Sequence, residues 1–321
     1  MDLLYLSRAD VEQVALPMSE IVAALEAMFL EKGHGRTEMP PKPGIHTQPD
    51  AFLHAMPAYI PASGAAGMKW VAGYPENIAR GLPYISGLLI LNDPETGFPL
   101  AVMDATWITA KRTGAATAVA AKHLANERSS SLGIVACGVQ GRSNLEALAT
   151  LFPIESVRAF DTRTEAAHAF AADVQRDFGT AVEVVDSPRA AVEGLDLVVT
   201  SGPILKQPTP VIEDAWLAPG SFTSAVDFDS YVQGAAFASV DRLVTDDRAQ
   251  LDYYRSVGYF AQTPDPDAEL ADIVCGQAPG RVRDDERAIA VNLGIALDDM
   301  ATAILVYRRA VELGVGTRLA L

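Results

Sequence analysis

From residue 131 to about 290, short apolar runs alternate with helix-patterned stretches, and this rhythm constrains the fold more than any other feature of the chain. The runs are LGIVA (132–136), VRAF (157–160), VEVV (182–185), LVVT (197–200), FTSAV (222–226) and RLVT (242–245). Each is too short for a helix and is bounded by turn-forming or charged residues, as buried strands are. Helices are predicted over 143–151, 164–178, around 190–194 and over 267–274. Strands alternating with helices give an α/β fold, a parallel sheet wound with helices on both faces.

The first repeat, SLGIVACGVQGR (131–142), is a strand, a turn and a helix start with the spacing Ala136-x-Gly138-x-x-Gly141. In a doubly wound sheet this turn presents backbone N–H groups to a dinucleotide pyrophosphate. Gly138 would let the pyrophosphate approach, and Gly141 would let helix and strand pack closely. Ala136 stands where the first glycine is usual and tolerates the turn only with a negative φ. The same spacing also suits a βα turn that binds nothing.

Asp161 closes the second strand, about 20 residues beyond Gly141, where a carboxylate can accept both hydroxyls of an adenosine ribose. Its charge repels a 2′-phosphate and favours NAD. Arg163 would suit that phosphate, so NADP stays open. The alternative role for Asp161 is to cap the helix that begins near Thr164.

The chain of 321 residues, 49% hydrophobic and 21% charged, is long enough for two domains with sizeable cores. A net charge of −16 with no basic run excludes non-specific nucleic-acid binding. No apolar run approaches the roughly 20 residues of a membrane span, and the first residues lack the basic flank of a secretory signal. Cys137 and Cys275 suggest neither a zinc site nor a disulfide framework, so a cytoplasmic protein is expected.

Ahead of the α/β region, 3–6 reads as a strand, the stretch from Ser7 to Val11 as a polar turn, and 18–32 as a helix with Ile21, Leu25, Met28 and Phe29 on one side. Residues 33–48 read as loop. From 52 to 102 the runs FLHAMPAYI, AGMKWVAGY and ISGLLILND predict an antiparallel sheet, with a hairpin loop at 92–97. An Ala-rich helix follows over 106–124, with only Gly114 against it. The last helix, after NLGIALDD (292–299), has apolar positions on more than one face and could dock on the N-terminal part.

Lys42, Lys69 and Arg112 sit in apolar or Pro/Gly company, which suits partners for a carboxylate: Arg as a bidentate fork, Lys as a point charge. Asp227 and Asp229 follow an apolar strand, facing the crevice if they perform acid–base work. They share one face only if the strand persists, and the plainer reading is solvated loop carboxylates. His34, His46 and His54 are spaced by 12 and 8, which suits no single helix face, and no metal site is expected.

Taken together these segments resemble the ornithine cyclodeaminase and mu-crystallin family, which includes an archaeal-type alanine dehydrogenase and ketimine reductases. The similarity runs along nearly the whole chain. It is carried by MPPK (39–42), AMPAY (55–59), GMKWVAGYPENIARGLP (67–83), the run 93–125 around DATWITAKRTGAATA, GVQGRSNLEAL (138–148), APGSFTSAVDFD (218–229), PGR (279–281) and NLGIALDD. The resemblance implies a homodimer. Residues 1–118 and 296–321 would form an α+β substrate and dimerisation domain, and 119–295 a Rossmann-type NAD(P) domain.

Residue by residue, it places Lys42 and Arg112 on the substrate carboxylate, Lys69 beside the reacting carbon and Asp229 at the amino or imino nitrogen. His54 and Tyr84 complete the substrate set. The expected cofactor set is Thr113, Gly138, Val139, Gln140, Gly141, Asp161, Thr162, Arg163, Thr200 and Ser201.

Four departures bear on the reaction. Family cyclodeaminases carry a glutamate two residues before the Met-Pro pair, and here that position is His54. Tyr84 replaces a common threonine and Asp227 a small residue, and the usual Lys-x-Glu-Leu after the acid is YVQGAAF. The leading expectation is an NAD(P)-dependent imine reductase or amino-acid dehydrogenase acting on a small amino, imino or keto acid. The rivals are an ammonia-releasing cyclodeaminase of ornithine or lysine type and a non-catalytic crystallin-like binding protein.

Overall fold

The strand β1 (Asp2–Leu6) buries Leu3, Leu4 and Leu6 and runs into a helix, α1 (Arg8–Gln13), where the sequence suggests only a turn. Ser7 and Asp10 explain the difference. Ser7 Oγ accepts the Asp10 N–H at 3.2 Å and Asp10 Oδ2 accepts the Ser7 N–H at 2.9 Å, a capping box that satisfies two otherwise orphaned donors. The helix α2 (Met18–Gly33) buries Ile21, Leu25, Met28 and Phe29 as their spacing predicts. The computed structural model describes residues 2–48 and 51–321.

Next come β2 (Gly44–Ile45), β3 (Phe52–Ile60), β4 (Ala65–Gly73), β5 (Ile85–Asn92) and β6 (Pro99–Asp104), an antiparallel meander. Along β3 the alternation puts His54, Met56, Ala58 and Ile60 on the buried face. Met56 lies opposite Lys69 on β4, and Lys69 opposite Leu89 on β5, so the register delivers a lysine to the core face. The β5–β6 turn closes as its sequence suggests: Asp93 Oδ1 accepts N–H bonds from Glu95 and Thr96, and Gly97 takes φ +71°. The Ala-rich helix α3 (Thr106–Leu124) keeps Gly114 for proximity, because a Cβ there would lie 2.3 Å from the Ser143 carbonyl oxygen.

The α/β region comprises β7 (Ser131–Val135), α4 (Val139–Leu148), β8 (Ser156–Phe160), α5 (Thr164–Phe178), β9 (Val182–Val184), α6 (Pro188–Val192) and β10 (Leu197–Thr200). It continues through β11 (Phe222–Ala225), α7 (Gly234–Ser239), β12 (Arg242–Thr245), α8 (Arg248–Ser256), β13 (Ala268–Glu269), α9 (Leu270–Val274) and β14 (Ala288–Val291). The sheet order is β13-β12-β14-β11-β10-β7-β8-β9, with every pairing parallel. From β7 the chain winds outward through β8 and β9, then returns to β10 on the other side. This reversal is the switch point of a Rossmann-type fold.

The sequence reading lacks β14, which sits between β11 and β12, as well as α7 and α8. It also merges β13 and α9 into one helix. The AIAV of β14 is wholly buried and bounded by Arg287 and Asn292, but a run of four apolar residues with two alanines carries too little periodicity to mark a strand.

The chain then returns to its N-terminal part through α10 (Ala296–Leu313) and β15 (Thr317–Ala320), which pairs with β1 and completes the order β15-β1-β6-β5-β4-β3-β2. The helix α10 packs on β3, β4, β5 and α2, which accounts for its apolar positions on several sides. Two compact units result, Met1–Arg112 with Gly294–Leu321, and Thr113–Leu293; their boundary falls inside α3. Among the described residues no helix is long and apolar enough to cross a membrane.

Candidate active site

The first unit gathers its cations around the N-terminal turn of α10. Lys69, 0% exposed, places Nζ 2.7 Å from Asp299 Oδ1 and donates to Thr109 Oγ1 at 3.3 Å. Arg112, 7% exposed, brings Nε within 3.0 Å of the same Asp299 oxygen and Nη1 within 3.5 Å of Asp298 Oδ2. Lys42 Nζ donates to the Gly294 carbonyl at 3.0 Å. Gly294 has φ +75°, and a Cβ there would lie 2.4 Å from Arg112 Nη1, so glycine alone lets the guanidinium lie against the chain.

Asp298 and Asp299 are fully buried and carry no role in the sequence reading, although they end the NLGIALDD segment. Two adjacent acids at a helix start look like ordinary stabilisers of the helix dipole. Asp298 does serve the helix, its Oδ2 accepting the Ile295 N–H at 3.3 Å. Only the packing of α10 on β4 shows that the pair also balances Lys69 and Arg112.

Among the described residues, Lys42, Lys69 and Arg112 gather around the buried carboxylates Asp298 and Asp299. Burial pushes Lys69 down to about 8, with Asp299 opposing and Arg112 adding to the fall. His54 is buried and stacks on Phe52 at 4.3 Å. Burial, then Lys42, His46 and Lys69, push its imidazole down to about 3. It is therefore neutral at pH 7 and adds no charge. Tyr84 is half-buried just before β5, its carbonyl accepting the Tyr74 N–H at 2.9 Å.

In the second unit Ala136 has φ +73°, contrary to the negative value its alanine side chain predicts. The turn demands the left-handed conformation, which costs a non-glycine residue about 1–2 kcal/mol. Gly138 is the N-cap of α4 with φ −79°, and a Cβ there would meet nothing within 4 Å. No protein neighbour requires that glycine. At Gly141 a Cβ would lie 2.9 Å from the Ala136 oxygen, so this glycine serves the close helix–strand packing.

Around the same turn, Val139 is 65% exposed, and Gln140 Oε1 is buried without a hydrogen-bond partner among the described residues. Asp161 does not cap α5, whose N-cap is Arg163. Its Oδ2 accepts the Cys137 N–H at 2.9 Å and its Oδ1 the Arg163 N–H at 2.9 Å, and each oxygen keeps a further lone pair. Thr162 and Arg163 are exposed, and the Arg163 guanidinium is 3.9 Å from Asp161. Ser201 continues β10, its N–H donating to Val135 at 3.0 Å and its Oγ to the Ala136 carbonyl at 2.9 Å. Thr113 is buried on α3. An open space over a glycine, first-turn N–H groups, an unsatisfied amide oxygen and a carboxylate with spare lone pairs fit a pyrophosphate and a ribose diol.

Asp227 and Asp229 do not share a strand face, because β11 ends at Ala225 and Phe228 turns the chain at φ +64°. Phe228 is held there between Tyr254 at 4.7 Å and Phe260 at 4.9 Å. Asp229 is left beside a cavity lined by Lys206, Phe260, Gln262 and Thr263, with Oδ1 lacking a partner among the described residues. Burial raises its carboxyl, against the backbone N–H groups of Asp229 and Phe260.

Asp227 points the other way. It is fully buried, accepting the Thr200 hydroxyl at 2.8 Å and the Gly202 N–H at 2.9 Å. Burial pushes it up to about 7 against those bonds. A carboxyl raised in the native state contributes stability below its unfolded value of 3.8 and loses it as pH rises through 7. Asp227→Asn keeps an acceptor for Gly202 and does not titrate. Its stability relative to the parent is therefore expected to climb by up to about 1.4 kcal/mol per pH unit between pH 4 and 7. Urea unfolding at several pH values measures this, and parallel curves would contradict the assignment.

One unit with a Rossmann-type sheet and a glycine-bearing turn at the start of α4, and a second α+β unit with a buried cluster of cations and carboxylates, define a two-unit α/β protein of the dinucleotide-fold class. The chain belongs to the ornithine cyclodeaminase/mu-crystallin family, whose model matches residues 2–314. Nodulation efficiency protein NfeD of Rhizobium meliloti is 35% identical, over 98% of this chain and 97% of its own. Alanine dehydrogenase of Archaeoglobus fulgidus is 36% identical, over 99% and 98%. The structure of Thermococcus litoralis Δ1-pyrroline-2-carboxylate reductase with NADH and L-proline superposes with a TM-score of 0.90 at 33% identity, covering 99% of this chain and all of that one.

Proposed function

We propose that this protein is an NAD-dependent oxidoreductase that transfers hydride between the nicotinamide C4 and the α-carbon of a small imino or amino acid. The observation that carries the reading is the gathering of Lys42, Lys69 and Arg112 in one buried cluster, which offers a substrate carboxylate a guanidinium fork and two point charges. The relatives named for alanine dehydrogenase and pyrroline-carboxylate reductase support it. NAD supplies the hydride chemistry when bound. Gly138, Val139, Gln140, Gly141 and Ser201 would line its pyrophosphate, and Asp161, with Thr162 and Arg163 beside it, would receive its ribose. Thr113 and Thr200 complete this set.

Arg112 and Lys42 would hold the carboxylate and fix the α-carbon. Lys69 would exchange a proton with the reacting centre, and Asp229 would stabilise the charged nitrogen. His54 and Tyr84 would border the side chain. A neutral His54 beside Lys42 gives the second ammonium of ornithine or lysine no counter-charge, which argues against cyclodeamination.

The test is a panel of cyclic imines, keto acids with ammonia or amines, and amino acids including ornithine and lysine, assayed with NAD(H) and NADP(H). Net change at 340 nm with a monocarboxylate and NAD(H) is the expected result. Ammonia release without net absorbance change would establish the lyase instead, and no turnover would establish the binding protein. A homodimer and a cytoplasmic site of action belong to the same proposal. Trp70 and Leu88, cross-strand neighbours 39% and 48% exposed, give the sheet of the first unit an apolar outer face for a second copy to cover. Sedimentation equilibrium at twice the 34.1 kDa chain mass is the expected reading.

A further inference from the structure

We propose that Asp299 is a positioning residue for this chemistry, its Oδ1 atom fixing where both Lys69 and Arg112 point and holding the Lys69 ammonium proton ready for transfer. The inference rests on the reading of Lys69 as the proton-exchanging group and deepens it.

Oδ1 is shared, 2.7 Å from Lys69 Nζ and 3.0 Å from Arg112 Nε, while Oδ2 is buried with no hydrogen-bond partner among the described residues. Here one oxygen takes two cations from two elements, β4 and α3, and the residue beside it, Asp298, does the capping. The Lys69 stem reaches this oxygen through the core face between Met56 and Leu89, and the residue is 0% exposed. The charged and titratable groups around Lys69 are Asp299 and Asp298 on α10, Arg112 on α3, Lys42 ahead of β2, and His54 on β3, which stays neutral. Of these only the two aspartates favour the ammonium, and Asp299 alone touches it. Without Asp299, burial and Arg112 would both drive the proton off.

The experiment is Asp299→Asn in the full chain, with the Lys69 side chain followed by NMR of ε-13C-lysine-labelled protein and Lys69→Met identifying its resonance. In the parent the resonance should titrate near pH 8. In Asp299→Asn the midpoint should fall by about one to three pH units, the usual effect of losing a close opposite charge. The alkaline limb of kcat should move down with it. Below the new midpoint the KM for the carboxylate substrate should hold or drop, because there the cluster gains positive charge; above it the neutral Lys69 offsets the lost carboxylate.

A midpoint that does not move, or kcat and KM worsening together at every pH with the limb in place, would mean that Asp299 is merely structural. Should Asp299→Asn fail to fold, Asp299→Glu keeps the charge and displaces it by one methylene. It should then retain the limb near its parental pH and lose about 10- to 100-fold in kcat from misplacement; a full parental kcat would overturn the proposal. The NMR titration needs no turnover. If the substrate panel gives no reaction and the midpoint still falls, the proposed reaction fails while the hold of Asp299 on Lys69 stands.

Discussion

Lys69→Met is expected to lower kcat/KM by about 10²–10⁴-fold, the range a positioned proton donor contributes, and to abolish the alkaline limb near pH 8. Methionine matches the buried stem between Met56 and Leu89, so the sheet keeps its packing and the loss falls on chemistry. Asp299 keeps Arg112 at 3.0 Å, which spares the carboxylate from becoming an uncompensated buried charge. Stability should therefore fall by less than the roughly 3–5 kcal/mol of an orphaned buried ion. Steady-state kinetics across pH 6–10 with urea unfolding alongside measure both effects. A variant with the parental rate and limb would remove Lys69 from the mechanism.

Arg112→Met is the second large effect, and it should act on binding. The guanidinium lies 3.0 Å from Asp299 and 3.5 Å from Asp298 and is the one forked donor of the cluster, so its loss removes both the substrate anchor and a counter-charge of two buried acids. The expected cost is about 2–5 kcal/mol of substrate affinity, or roughly 30- to several-thousand-fold in KM, with NAD affinity by calorimetry unchanged. Arg112→Lys keeps the charge and loses the fork, so it should fall between. Loss of NAD affinity equal to the loss of substrate affinity would show that Arg112 supports the fold and not the carboxylate.

Much of this site is legible in the chain, and the unread part has identifiable causes. Lys42, Lys69 and Arg112 are visible as cations in apolar company, although each taken separately reads as surface or structural; the fold buries all three. Asp298 and Asp299 do not, since acids at a helix N-terminus have a sufficient local explanation. Asp227 and Asp229 read as a pair, and a left-handed Phe228 separates them into a buried carboxyl bonded to Thr200 and a cavity-facing one. A positive φ at phenylalanine has no sequence signature, because it is enforced by the aromatic packing of Tyr254 and Phe260. The positive φ of Ala136 is equally unreadable, the turn overriding the preference of the side chain.

The sequence by itself determined the parallel α/β region, its phosphate-ready turn, the antiparallel meander before it and the residue types of the site, because periodicity and turn chemistry are local. The place of β14 within the sheet, the return of α10 across β3 to β5, and the sharing of one Asp299 oxygen by Lys69 and Arg112 were decided only by tertiary structure. Each joins segments separated by tens to hundreds of residues. Charge balance in a core is settled by which elements pack together, and no local pattern encodes it.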